Sequence, residues 1–547
     1  MELMEKDTAL PEAHTWSLTL LDLPIELLRN ILDNFSDPPV EQGRVRWRKA
    51  TIWSRDIHRE NQKIIQIVRL VCQKFNEVAS PLLCPVLQVD LDQASLERAV
   101  NLSYSPRVAL GIRAIRVGMQ CFPGGLARDP ERFMELRLSK VRQAVYDIEY
   151  ACDEPPANEQ GVEDDSEAEQ QGRPYSAALD RGHKIWASWD DLINRLTTDP
   201  GPVQPSDEYQ EILCTGFEKF CLKHQQQREM LASQFFVRTL ASCMVRMPNA
   251  LSLGFSDETK EHPPEYPYDP DFLVENEVLS RMITAPMTWQ ELEYTDDMHH
   301  ATARILSDLP IAIHQAGISL SDMYVGIFPC IRNQTLVFSR PHDPTLWDDL
   351  RAAYQSLRRA DFGDSLNCLP IRHSHLAPED SLHLNEYLSA LLSSPSLERI
   401  TINTTAFGVD DGRGRQSGYD LSRVLSAANW PCIRNLKILS VSITQSALKA
   451  LFSGLGCSVE YLQLSSFELL DGRWVGVLDI LREKIRPRAT IYFTPSWGGE
   501  FGVRVGRPRK SWDHRNYSIP ETPPIFGEVV RYISGVEMEN PLRDWES

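Results

Sequence analysis

The chain has 547 residues, 42% of them apolar and 24% charged, with 76 acidic side chains against 57 basic ones and a formal charge of −19. That length gives a prior of about three domains unless the chain is an elongated repeat array, and the composition excludes a polymer that is disordered throughout. The negative charge argues against nucleic acid or an anionic membrane as a partner, because both require a concentrated positive field.

Eleven cysteines, an odd number with no C-x-x-C pair, point to reduced thiols acting as small hydrophobes. The opening "MELMEKDTALPEAHTW" has no basic stretch followed by an apolar run, and no 18 consecutive apolar residues occur anywhere. The expected location is cytoplasmic or nuclear, with residues 1–17 a flexible tail.

The first element is announced by "DLPIELLRNILDNF", where Pro24 stands at a helix start that has no use for the missing N–H. Ile25, Leu28, Leu32 and Phe35 form one stripe, and Leu27 and Ile31 add a second row. The next apolar stretch, ending in "VRLVCQKFNEVASPLL", sets Ile64, Ile67, Val71, Phe75 and Val78 in a helical stripe with Leu70 and Cys72 beside it, and Ser80-Pro81 stops it. Burying each such aliphatic is worth about 1.5–3 kcal/mol, so two wide apolar faces this close together call for a cover, internal or foreign.

The pair "LPIELLRNIL" and "LVCQKFNEVASPLL" resembles the F-box motif, and the run "SPLLCPVLQVDLDQASLERAV" is similar to its continuation in large F-box-like proteins of filamentous fungi. The resemblance implies a small helical module over residues 18–84 that docks on a Skp-type adaptor and, through it, a cullin, as in an SCF-type ubiquitin ligase. It also implies the adaptor-binding set Leu23, Pro24, Leu27, Ile31, Leu32, Leu70, Val71, Cys72 and Phe75. Residues 36–61, rich in Arg and Trp, depart from the family by widening the gap between the halves, and read as a loop with a short helix.

From Cys152 to Gly172 eight carboxylates occur without a Lys or Arg, which predicts a solvated, disordered acidic loop. Around it the chain repeats a unit of amphipathic helix, Pro or Gly turn and short alternating strand. Phe236, Leu240 and Met244 are spaced four apart; Leu448, Leu451, Phe452 and Leu455 follow the helical pattern; Leu251, Leu253 and Phe255 alternate as in a strand. Strand anchors at Leu251, Leu292, Ile400, Leu436 and Leu462 are separated by 41, 108, 36 and 26 residues, so only the last interval lies within the roughly 20–29 of regular leucine-rich repeats.

This pattern resembles divergent leucine-rich repeats, and implies a degenerate α/β solenoid over residues 85–495 followed by an irregular segment at 496–547. A compact α/β domain would show similar alternation. The insertions Ser256–Asp271 and Ala406–Asp420 read as loops. Tyr266 and Tyr268, together with Trp289 and Tyr294 in a strand, are candidate contact aromatics whose default role is packing.

Catalytic signatures are missing: no G-x-S-x-G, H-E-x-x-H or P-loop motif occurs, and the Gly412 loop "GRGRQSG" lacks the required Lys. His299-His300 and the His373, His375 pair have no completing ligands at metal spacing, and the basic run Arg504–Arg515 reads as a solvated loop. The expected fold is therefore mixed α and α/β, a helical F-box-like module followed by the solenoid. The expected role is a non-catalytic substrate receptor without cofactor or metal, whose protein substrate and substrate-binding residues are unknown. A repeat scaffold capped by its own N-terminal helices, and an α/β hydrolase with an unmarked site, are the alternatives.

Overall fold

The computed structural model describes residues 20–32, 56–153, 165–198, 204–257, 271–291, 297–328, 330–331, 334–335, 345–363, 378–407, 409–410, 416–493, 496–501 and 524–543. The expected N-terminal tail, residues 36–55 of the insert, Tyr266, Tyr268, Leu292, Tyr294, His373, His375, most of the Gly412 loop and the basic run 504–515 lie outside them. The chain divides into two compact units. The smaller gathers Met1–Leu87, Leu102–Ala114 and Met247–Asn249; the larger comprises Gln88–Asn101, Ile115–Arg246 and Ala250–Ser547.

Three helices make the core of the smaller unit: α1 (Ile25–Leu32), α2 (Asp56–Arg69) and α3 (Gln73–Ala79). Leu28, Leu32, Ile65, Val78 and Ala79 are buried together, with Leu23, Ile25, Val68, Phe75, Leu82 and Leu83 packed against them. The second half of the motif is two helices, not the single one its spacing predicts. Cys72 is fully extended (φ −163°, ψ 170°) at the start of α3, which breaks the helical path after Arg69. Residues 56–61 of the insert belong to α2.

The larger unit is mixed helix and parallel sheet. Nine strands, β1 (Val86–Asp90), β2 (Ala114–Gly118), β3 (Ser252–Ser256), β4 (Asp322–Val325), β5 (Arg359–Phe362), β6 (Arg399–Asn403), β7 (Asn435–Leu439), β8 (Val459–Ser465) and β9 (Ile485–Phe493), lie side by side in chain order. From β3 onward every neighbour is parallel. Parallel neighbours need a crossover, and helices supply it between most of these strands.

Register fixes two apolar rows on the core side: Leu253, Met323, Ala360, Ile400, Leu436, Leu462 and Ile491, and two residues on, Phe255, Val325, Phe362, Ile402, Ile438, Leu464 and Phe493. The first row gives true strand intervals of 70, 37, 40, 36, 26 and 29 residues. The interval of 108 read from Leu292 to Ile400 spans two further strands, and Leu292 itself lies outside the described residues. Trp289–Glu291 is a 3-10 turn rather than a strand, because the segment pairs antiparallel with the chain after β2 (Cys121 with Met287) and Trp289 donates its indole N–H to Met119 O at 2.7 Å. Strands β4 and β5 fill the gap; their short runs "DMYV" and "RADF" carry too few apolar residues to stand out.

The last units are the most regular. The segments 435–459 and 461–485 share features at a spacing of 26 residues: Ser440 and Ser466 both turn with positive φ (58° and 52°), directing the chain from each long strand into Val441–Ile443 and Glu468–Leu469, which pair in a small second parallel sheet. Helices α8 (Gln445–Ser453) and α9 (Val475–Lys484) follow, burying Leu448, Leu451 and Phe452, and Val477, Leu478 and Leu481.

Between β2 and β3 stand three long helices that helix–strand alternation does not foresee, α4 (Pro130–Asp153), α5 (Asp165–Thr198) and α6 (Glu208–Ala232). The acidic segment therefore corrects in part. Residues 152–153 end α4 and 165–172 open α5, while 154–164 lie outside the described residues. The C-terminal segment is not wholly irregular either. α10 (Pro524–Ile533) buries Ile525, Phe526, Val529 and Ile533, and Phe526 meets Phe493 of the last strand with ring centroids 5.8 Å apart. Here α7 denotes Asn276–Ile283, which packs on α6.

Candidate partner-binding surface

The smaller unit is held by polar bonds as well as by its core. Lys74 Nζ donates to Leu23 O at 2.7 Å, tying α3 to the chain that enters α1. Arg69 Nε donates to Asn76 Oδ1 (3.2 Å) and Ser80 Oγ (3.1 Å), and Ser80 Oγ donates to Asn76 O at 2.6 Å. That clamp sets the angle between α2 and α3 and pushes the corner residues Leu70 and Val71 outward.

The nine expected adaptor residues separate into two groups. Leu32 is buried in the core, Leu23 and Phe75 are half-buried against it, and Cys72 is half-buried at the start of α3. Pro24 is exposed, and so are Leu27 (47%), Ile31 (40%), Leu70 (86%) and Val71 (62%). Leu32 is thus a core residue, and Leu23 and Phe75 support the surface from behind.

Sequence reasoning left three exposed aliphatics out of the set: Leu20, Ile64 and Ile67. The signal for two of them was present, since Ile64 and Ile67 stand three apart on α2 with the buried Ile65 between them. No other described stretch of comparable length exposes as many large apolar side chains as Leu20–Val71. Isolated exposed aliphatics are ordinary, whereas this many on one small three-helix core is the kind of surface a partner can cover.

The larger unit offers a different surface. Strands β2 and β3 are buried on both faces, as parallel strands usually are, whereas β5 and β7 alternate between buried and part-exposed residues and β6 is part-exposed only at its two ends. Register places Asp322, Arg359, Arg399, Asn435 and Tyr461 in one row on the face opposite the apolar rows, and Tyr324, Asp361, Thr401, Lys437, Gln463 and Tyr492 in the next; Tyr324, Thr401 and Tyr461 are buried and the others at least part-exposed. Arg359 Nε lies 3.4 Å from Asp322 Oδ1, and the Tyr461 and Tyr492 rings approach to 5.7 Å.

The strongest concentration of buried charge lies beside the ends of β2 and β3. Arg137 is fully buried over the rings of Phe133 and Phe220, and donates to Ala285 O at 2.8 Å; burial brings its guanidinium down to about 10 against the opposing pull of Glu291. Burial raises the Glu291 carboxyl, but its ion pair with Lys140 and the bonds from Thr288 N (2.8 Å) and Oγ1 (3.0 Å) outweigh that and hold it low. Asp257 accepts from Trp289 N, yet its Oδ1 is sealed from solvent without a partner, and burial pushes its pKa well up. These groups fasten residues 284–291 to the strand ends. His299 is buried against Trp289, and among the described residues no cluster of three or more His, Cys, Asp or Glu could hold a metal.

A pH test follows from the signs. Glu291, depressed when folded, contributes stability above the ordinary carboxylate range that is lost as pH falls through its folded value. Asp257, raised when folded, contributes stability at low pH that is lost as pH rises through its folded value. The neutral Asp257→Asn variant keeps an acceptor for Trp289 N. Its melting temperature, relative to the parent, should rise as pH increases above the ordinary carboxylate range; a difference independent of pH would exclude a strained carboxylate at this position.

Comparison of the chain with protein-family models, with curated proteins and with solved structures gives no match. Among the described residues no helix is long and apolar enough to cross a membrane.

Proposed function

We propose that the chain is the substrate-recognition subunit of an SCF-type, cullin-based ubiquitin ligase. Its N-terminal helices bind a Skp-type adaptor and its strand array binds a protein substrate. The observation that supports this reading is the outward apolar rim of the smaller unit: Leu27 and Ile31 on α1, Ile64 and Ile67 on α2, and Leu70 and Val71 at the corner, all exposed around a core that is already complete without them.

The strand array is proposed to be a degenerate leucine-rich-repeat-type solenoid. Its strands run in chain order, and its last two intervals, 26 and 29 residues, fall within the range of such repeats. Substrate would lie on the part-exposed polar rows, where charges of both signs and the exposed Tyr492 offer orientation and contact area. The contribution to catalysis is proximity, holding substrate near a conjugating enzyme that the complex supplies.

Mixing the purified full-length chain with a recombinant Skp-type adaptor tests this directly. Co-elution as a stoichiometric complex on gel filtration is the expected result. A folded chain that elutes alone at micromolar concentrations of both proteins would leave an interaction scaffold without ligase association.

A further inference from the structure

Between α6 and α7 of the larger unit lies an open groove of about 630 Å³. Lys219, Lys223 and Arg281 line it against a single carboxylate, Glu277, while Gln226 and Ser280 add neutral hydrogen-bonding groups. In a chain of net charge −19 such a local excess of positive charge is unexpected. Lys219 and Lys223 stand one helical turn apart, a spacing at which like charges work against the helix that carries them. Lys219 makes no ion pair among the described residues. Lys223 is held in place, its Nζ 3.2 Å from Thr284 O and 5.6 Å from the centre of the Phe122 ring. Burial lowers its pKa, which Asp92 counters and Lys219 reinforces.

We propose that this groove binds a phosphate monoester. Three cations lining one groove, two on α6 and one on α7, match a group that carries close to two negative charges and three strong acceptor oxygens. Gln226 and Ser280 can complete its hydrogen bonding, and the open mouth admits a phosphate either on a peptide chain or on a free small molecule. The inference stands apart from the adaptor reading, since it uses only residues of the larger unit.

Two probes test it on the full-length chain: a phosphoserine peptide library compared with its dephosphorylated equivalent, and inorganic phosphate followed by 31P NMR line broadening. At least one should bind, the library with a tenfold or greater preference for the phosphorylated form. Lys219→Gln with Arg281→Gln should weaken that binding at least tenfold, whereas the charge-matched control Lys184→Gln with Lys449→Gln should stay within twofold. Thermal melts establish that both variants are folded. Binding of the library that inorganic phosphate does not displace assigns a peptide-borne phosphate, and displacement at micromolar phosphate assigns a free one. Failure of both probes on the parent chain, or an equal loss in groove and control variants, overturns the proposal.

Discussion

Replacing Leu27 and Leu70 together by aspartate is expected to abolish adaptor binding while leaving the protein folded. Both side chains point outward, at 47% and 86% exposure, so the substitution removes apolar surface that the core does not use. An apolar anchor at the centre of an interface is commonly worth about 2 kcal/mol or more, and two of them correspond to roughly a thousandfold in affinity. Each aspartate would also have to be desolvated on docking, which adds to the loss.

Calorimetric titration against a Skp-type adaptor measures the affinity, and a melt of the same sample should change by no more than surface substitutions usually cause, within about 0.5 kcal/mol. The neighbouring Leu28→Asp is the contrasting control. Leu28 is 1% exposed in the three-helix core, so a carboxylate there should unfold the smaller unit outright. A folded Leu27, Leu70 variant with undiminished affinity would remove this surface from the proposal. Leu23 is a poorer probe, because its side chain packs on the core, so its loss would mix folding with binding.

The second large effect is expected in the strand array. Trp474→Ala should cost about 3–5 kcal/mol, the usual range for emptying a large buried aromatic site. Trp474 is fully buried. Its indole donates to Gly498 O at 3.1 Å, its backbone N–H is bound by Glu500, and its ring meets Phe467, Phe493 and Phe501 at centroid distances of 5.5–6.0 Å. If the array couples mainly through nearest neighbours, the loss should be local. Hydrogen exchange should then accelerate in β8 and β9 and leave β4 and β5 protected. A uniform loss of protection across all strands would instead identify the sheet as one cooperative block.

Much of the architecture was legible in periodicity, and the failures have identifiable causes. Phe236, Leu240 and Met244 marked a helix that is present, and Leu253 with Phe255, Ile400 with Ile402, and Leu462 with Leu464 marked strands that are present, because burial on one side imposes a period that composition cannot hide. Strands of four residues such as β4 and β5 leave too little pattern to register, and Trp289, read as a strand residue, lies in a 3-10 turn buried by a crossing segment. The long helices α4 to α6 escaped because the alternation of helix and strand on either side of them supplied a simpler template.

For the proposed adaptor surface the sequence named both halves and most of the residues, since Leu-Pro, the double aliphatic row and the closing helix are local features. Which row faces inward was beyond it. Leu27 and Leu28, or Ile31 and Leu32, are chemically equivalent neighbours, and only the packing of three helices around Ile65, Val78 and Ala79 consumes one of each pair and leaves the other in water. The groove of Lys219, Lys223 and Arg281 was invisible for the same reason in stronger form. Its walls come from helices separated by more than forty residues of chain, and charge separated in sequence becomes a field only when folding brings it together. Local spacing therefore determined which elements form and which of their residues are apolar. Tertiary packing decided which of those apolar residues stay in water, because burial depends on neighbours that are distant in the chain.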